Sequence, residues 1–357
     1  MIVNSGFGFK RFTYSAPEEF GATYQTITIN KTYVPSTQTN FVARIPASLF
    51  SSDFFTKLAI GGSPRFTLND GTTKLPTEQV YLDVSGSKGY YNVLVPTVNG
   101  TGEGSSTSIR VYYENSLDAL PPHYSYGRNA VWANNYKCVQ NLHTTPDLTQ
   151  VNSTGNSNYD MTQIGSLVST DIVTAAYGGG NAHFYDGTGE GVRVDYNDVT
   201  SYPFSIGLLF RTPTDAQDQG KIAGIYDSSI QGEMFGLNKI GLKETRSLMA
   251  QSGPATNSPS YPNMGSTSWN FAVAVFASTT SRTIYFNNVT PVSNTDTQAL
   301  NAGLSGVGIG SFNYATDQHF SGDLAVQDFF ITAEELSADK ITTMYNNYFN
   351  GSFFTIT

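Results

Sequence analysis

The stretch Tyr177-Gly-Gly-Gly-Asn-Ala-His-Phe-Tyr-Asp-Gly-Thr-Gly-Glu-Gly-Val-Arg-Val-Asp195 decides the fold. Three consecutive glycines lead into a short extended run with Ala182 and Phe184 on one face. A glycine-rich segment follows, and Val192 with Val194 starts another such run. The spacing predicts a β-hairpin that opens a large antiparallel sandwich. Read instead as a phosphate cradle, Gly178-Gly-Gly180 and Gly187-Thr-Gly-Glu-Gly191 lack a Lys-Ser/Thr ending and a following helix, so turns are the better reading.

Downstream, residues 203–211, 221–226 and 233–238 read as strands, and 269–277 is apolar on both faces, the pattern of a central strand covered on both sides. Residues 282–286, 306–310 and 320–331 continue the set, with Asn287-Asn288 suited to left-handed turn geometry. One helix follows. Thr332-Ala-Glu-Glu335 fits a capping box, and Leu336, Ile341, Met344, Tyr345 and Tyr348 form an apolar stripe expected to cover an edge or end of the sandwich.

Upstream, Ile27 and Ile29 alternate with polar residues, and 41–45 repeats the alternation. Ser51-Ser-Asp53 offers caps for a short helix over 49–58, and Asn69-Asp-Gly71 reads as a tight turn. With 65–68, 80–84, 91–95 and 108–113 this makes about seven short strands, a β-sandwich of roughly 100 residues. Pro121-Pro122 marks a linker, 130–133 and 136–142 read as the first strands beyond it, and the polar segment 147–161 reads as a long surface loop. The expected organisation is an N-terminal arm over 1–20 carrying Phe7, Phe9, Phe12, Tyr14 and Phe20, a β-sandwich over 21–120, a linker at 121–126 and a second sandwich over 127–357.

Charged residues are 13% of the 357, about half the usual share of roughly 25%. Ser, Thr, Asn, Gln and Tyr must therefore cover the surface, as on proteins that work outside a cytoplasm or face sugars. A net charge of −9 with only 19 Lys and Arg argues against a nucleic-acid partner, which needs a clustered positive field. The single cysteine, Cys138, has no intramolecular partner and reads as a small buried hydrophobe. The N-terminal residues show no secretory signal, and the longest apolar run, 271–277, is far short of the roughly 20 residues that span a bilayer, so no membrane insertion is expected. Outward-facing surface chemistry without an export signal fits a virus particle, which lysis releases.

Gly179-Gly-Asn-Ala-His-Phe-Tyr-Asp186-Gly, Pro203-Phe-Ser-Ile, Trp269-Asn-Phe-Ala-Val-Ala-Val, Ile284-Tyr-Phe-Asn287, Ile309-Gly310, Phe320-Ser-Gly322-Asp-Leu-Ala-Val and Leu336-Ser-Ala-Asp-Lys-Ile341 occur in the order found in laminin-G-like, concanavalin-A-like lectin sandwiches, which residues 125–350 resemble. Phe66-Thr-Leu-Asn-Asp70-Gly-Thr-Thr-Lys-Leu75-Pro, Val111-Tyr-Tyr113 and the segment from Tyr126-Gly127 to Val131-Trp132 resemble an uncharacterised β-domain that precedes such sandwiches in phage virion and bacterial surface proteins. The resemblance implies an all-β fold of two β-sandwich domains, the C-terminal one a concanavalin-A-like jelly roll with one C-terminal amphipathic helix. It implies recognition or structural duty without naming a ligand.

Glycoside hydrolases of this fold carry Glu-X-Asp-X-X-Glu or a close variant on one strand, and no Glu here is followed by Asp two positions on. A Gly-X-Ser-X-Gly elbow is absent, and His123, His143, His183 and His319 have no partner at sequence level; His183 reads as an ordinary strand or surface histidine. Lectin-like sandwiches often hold calcium, so Asp186, Glu190 and Asp323 are the candidate ligands for one structural calcium. Tyr261 and Tyr314, beside Asn263 and Asn313 in polar loops, are the candidate sugar platform. The expected function is non-enzymatic: a bacteriophage virion structural protein, tail or fibre component or capsid decoration, homo-oligomeric on the particle among other virion proteins, with its lectin-like domain turned to a host-surface glycan. The competing class is a free or cell-surface carbohydrate-binding module; a polysaccharide-active enzyme is the least favoured.

Overall fold

The computed structural model describes residues 23–60, 63–114, 123–187, 189–212, 220–229, 234–240, 247–252, 260–262, 268–300, 302–313, 318–319 and 323–357. The expected arm over 1–20 and the Pro121-Pro122 pair lie outside the described residues.

The first part of the chain folds as its alternation predicts, into β1 (Tyr24–Ile29), β2 (Gln38–Pro46), β3 (Arg65–Leu68), β4 (Thr77–Asp83), β5 (Lys88–Val98) and β6 (Thr107–Tyr112). Between β2 and β3, helix α1 (Ser52–Ala59) starts at Ser51, whose Oγ accepts the Phe54 N–H at 3.4 Å, and buries Phe54, Phe55 and Leu58. Gly71, at φ +75°, makes the left-handed step of the turn after β3, and the Asp70 carboxylate holds the Thr72 and Thr73 N–H groups at 2.8 and 2.9 Å.

The rest supplies a one-turn helix α2 (Arg128–Val131), then β7 (Tyr136–Gln140), β8 (Thr162–Ile164), β9 (Ile172–Thr174), β10 (Asn181–Tyr185), β11 (Gly191–Val194) and β12 (Phe204–Arg211). They are followed by β13 (Gly220–Asp227), β14 (Met234–Ile240), β15 (Ser247–Ser252), β16 (Ser260–Pro262), β17 (Asn270–Ser278) and β18 (Ser281–Phe286). The chain ends in β19 (Val292–Asn294), β20 (Leu304–Ile309), the short β21 (Ser311–Phe312) and β22 (Gln318–His319), β23 (Leu324–Thr332), helix α3 (Ala338–Phe349) and β24 (Phe354–Ile356).

The fold is all-β with a C-terminal helix. An eight-stranded sheet, β19-β18-β17-β12-β23-β10-β9 with β7 also on β23, faces a seven-stranded sheet, β16-β15-β14-β13-β20-β11-β8. Phe204, Ile206, Leu208 and Phe329 from the first and Ile225, Phe235, Val307 and Ile309 from the second fill the space between. Upstream, a four-stranded sheet β24-β1-β6-β3 packs on a three-stranded sheet β2-β5-β4. The strand count there reaches seven only because β24, from the chain's end, pairs with β1 through Ile27 opposite Ile356.

Strand β17 is buried on both faces, as its composition predicts. Ala272, Ala274 and Phe276 point between the two large sheets, while Phe271, Val273 and Val275 join a second core that runs through α3 into the upstream sandwich. Helix α3 lies in that second core rather than over an edge or end, burying Ile341, Met344 and Tyr348, about 1.5–3 kcal/mol for each large apolar side chain.

Four further sequence expectations are corrected. Residues 177–195 do not form a hairpin: β10 pairs with β9 and β23, β11 pairs with β8 and β20, and the glycine-rich link carries the chain from one sheet of the sandwich to the other. Gly187 and Gly189, at φ +83° and +98°, let so short a link make that crossing. Residues 130–133 are not a strand, because α2 turns the chain so that the Trp132 indole reaches inward to Glu78. The segment 147–161 is not wholly a surface loop: Gln150, Asn152, Ser153, Tyr159 and Met161 are buried, and Asn152 Oδ1 accepts the Val139 N–H at 2.8 Å as a neighbouring strand would. The capping box fails because Thr332 still belongs to β23, its hydroxyl donating to the Asn135 carbonyl at 3.2 Å; Ser337 caps α3 instead, accepting the Lys340 N–H at 3.2 Å.

Candidate functional site

The residues singled out from sequence scatter over the large sandwich. Asp186 follows β10 and Asp323 precedes β23, and the Tyr185–Leu324 register sets them at the same end of two paired strands. Glu190 closes the link, its Oε2 accepting the Asp186 N–H at 3.0 Å; burial pushes its carboxyl upward and that N–H opposes the shift. Among the described residues no group of three His, Cys, Asp or Glu side chains is arranged to hold a metal ion. Asn313 Nδ2 lies 3.2 Å from both Asp195 oxygens, and the Tyr226 hydroxyl donates to Asp195 Oδ1 at 2.7 Å. Tyr314 and Asn263 lie outside the described residues, and Tyr261 sits on strand β16, separated from β20 by β15, β14 and β13 in the sheet order, so Tyr261 and Asn313 are not brought together.

The chemistry concentrates instead on the seam between the upstream sandwich and the eight-stranded sheet, in two clusters. In the first, Arg44 of β2 and Asp328 of β23 are each 2% exposed, with Nε 3.3 Å from Oδ2. The Tyr348 and Tyr90 hydroxyls donate to Asp328 at 2.8 and 3.1 Å, and the Arg44 guanidinium lies over the Trp132 and Tyr348 rings. Asn347 of α3 bonds both the Arg44 N–H and its carbonyl at 2.8 Å, and the Tyr177 hydroxyl donates to the same carbonyl. Burial pushes the Asp328 carboxyl above its ordinary range, and Arg44 with the two tyrosines works against that shift. The glycines of the opening stretch serve this seam. Gly178, at φ +73°, turns where an added Cβ would stand 2.6 Å from the Tyr90 ring, and its carbonyl accepts the Gly89 N–H at 2.7 Å.

The second cluster floors an open cleft of about 280 Å³ on the same seam. Glu78 of β4, its only carboxylate among the described residues, takes Trp132 Nε1 at 2.8 Å and Asn92 Nδ2 at 2.9 Å on one oxygen, and Asn141 Nδ2 at 3.1 Å and Ser153 Oγ at 2.6 Å on the other. Both oxygens are filled from inside the protein. The walls are different. Half-buried Arg128 spends one Nε–H on Asn129 Oδ1 at 3.5 Å and has no carboxylate within ion-pair distance among the described residues. The His143 ring nitrogens and Gln79 Nε2 make no hydrogen bond to a described residue. Burial lowers the His143 pKa to about 4, so the ring is neutral at pH 7, with one N–H and one lone pair to offer.

Behind the wall stands His183, fully buried in β10. Its Nε2 is 2.9 Å from the Thr144 carbonyl and must carry the proton, leaving Nδ1 to accept the Tyr185 hydroxyl at 3.2 Å. Burial lowers its pKa to about 3. It supports the loop after β7 that carries His143. Sequence reasoning missed this cleft, because Glu78 and its partners come from distant segments, none with a local spacing that marks a site.

No protein-family model matches the chain, and a search of curated proteins returns no match. Among solved structures, the chain is similar to domain 4 of AbnA, an extracellular GH43 arabinanase from Geobacillus stearothermophilus solved in complex with arabinotriose, at 17% identity and a TM-score of 0.43 over 59% of this chain and 98% of that one. It is also similar to the botulinum neurotoxin serotype D binding domain, at 14% identity and a TM-score of 0.40 over 59% and 51%. The serotype D ligand-binding domain in complex with N-acetylneuraminic acid gives 14% and 0.41 over 61% and 52%. The chain spans about half the length of these two neurotoxin chains. Likeness at this level assigns no ligand.

Proposed function

We propose that the chain is a non-enzymatic glycan-binding protein of lectin type, and that it serves as a bacteriophage virion structural protein, in the tail, a fibre or a capsid decoration. The observation that carries the binding half is the state of Glu78. It is the only carboxylate of the cleft among the described residues, and protein donors occupy both its oxygens. Sugar hydrolysis takes two carboxyl groups free to exchange a proton or attack. A carboxylate that serves as a floor, with uncommitted donors above it, holds a ligand without turning it over.

The particle half rests on the resemblance of the upstream segment to a β-domain of virion and surface proteins, and on the low charge. Two measurements test the reading. A glycan array probed with the full chain is expected to return binding, and incubation with the bound glycan no cleavage; turnover abolished by a carboxylate substitution overturns the non-enzymatic assignment. Mass spectrometry of purified virions is expected to find the chain, and its absence there moves the protein to the free or cell-surface class.

A further inference from the structure

We propose that the seam cleft is a site for a carboxylate-bearing sugar, with the Arg128 guanidinium taking the carboxylate and His143 and Gln79 taking hydroxyls. This inference rests on the glycan-binding reading and assigns it both a place and a ligand class. The donors and acceptors of the cleft wall point to that class of ligand. The Glu78 oxygens are filled, and Gln150, also in the wall, is spent: its Nε2 donates to the Thr145 and Leu148 carbonyls at 3.1 and 2.7 Å, and its Oε1 accepts Thr144 Oγ1 at 2.6 Å.

What remains open is mostly donor: the forked guanidinium of Arg128, the Gln79 amide N–H groups and one His143 N–H. A neutral sugar presents hydroxyls that want acceptors as much as donors, whereas a carboxylate only accepts and fits a guanidinium fork in two parallel bonds. The four groups on the Glu78 carboxylate below are neutral, so the Arg128 guanidinium is the cationic group that the cleft offers an anionic ligand. A cleft of about 280 Å³ with walls from both β4 and the 140–151 segment holds one or two sugar units rather than an extended chain.

The test is calorimetric titration of the full chain with a galacturonate trisaccharide and with the same trisaccharide after its carboxyls are reduced to hydroxymethyl groups, run beside an array that includes sialylated and neutral glycans. The acidic form is expected to bind at least tenfold more tightly, or a sialylated glycan to do so on the array. Arg128→Gln is expected to remove the preference with the thermal midpoint unchanged, and Arg128→Lys to keep part of it, since a point charge replaces the fork. Equal binding of acidic and reduced forms, with no sialylated glycan preferred over neutral ones on the array, overturns the proposal, as does a preference that survives Arg128→Gln. Glycan binding untouched by both Arg128→Gln and His143→Ala places the site elsewhere and leaves the lectin-type reading standing. A chain that binds no glycan of any class removes both.

Discussion

The two clusters on the seam are built from the same materials and end in opposite states. Around Arg44 and Asp328, cation, anion, tyrosine hydroxyls and backbone close on one another with 2% of either charged residue exposed. Around Glu78 the anion is equally well held, but Arg128, His143 and Gln79 stand on an open wall with capacity left over. Saturation separates holding from binding: a filled network fixes two sheets against each other, and an unfilled one beside it offers hydrogen bonds to whatever enters.

The comparison predicts unequal costs. Asp328→Ala strands the buried guanidinium and is expected to lower stability by about 3–5 kcal/mol in urea unfolding, while the double change Arg44→Met with Asp328→Leu costs much less. A single change below about 1 kcal/mol would mean that the closed cluster holds nothing. Glu78→Gln turns an amide N–H group toward donors and leaves at least one donor unmet, for an expected loss of about 2–3 kcal/mol measured the same way.

Acid sharpens the contrast further. His143 and His183 have folded pKa values of about 4 and about 3, below the 6.5 of an exposed histidine, so the unfolded chain binds more protons in that window. Their contribution is fully present above about pH 6.5 and is lost as pH falls toward 4, on the order of 3 kcal/mol for each, read as a falling thermal midpoint. His143→Gln is expected to flatten part of that slope, and an unchanged slope would show that the cleft wall is not buried as described. The smallest effect is Ser337→Ala, about 1 kcal/mol from the lost cap of α3, seen by thermal unfolding.

Much of the fold was legible because it is written locally. Alternation marked the strands, apolar residues on both faces marked β17, the Asn-Asp-Gly turn and the Ser51 cap stood in their own sequence, and the α3 stripe was correct although its cap lay five residues later. Pairing partners are not local. Two short runs joined by glycines read alike whether the runs pair with each other or enter opposite sheets, and the strands that claim β10 and β11, β23 and β20, lie far along the chain. The seam is harder still to read. Arg44 and Asp328 are 284 positions apart, and Glu78 meets Trp132, Asn141 and Ser153 at separations of 54, 63 and 75. The aromatic-and-amide rule that pointed to Asn313 weighed loop composition alone, and Asn313 is engaged with Asp195.

Hydrogen exchange with and without the galacturonate trisaccharide tests the central claim, that the seam cleft is where this chain binds. Slowed exchange in peptides covering residues 78–80 and 140–151, with residues 311–313 unaffected, is the predicted result. Protection that instead gathers near residues 195 and 311–313, with the seam peptides unchanged, would contradict it.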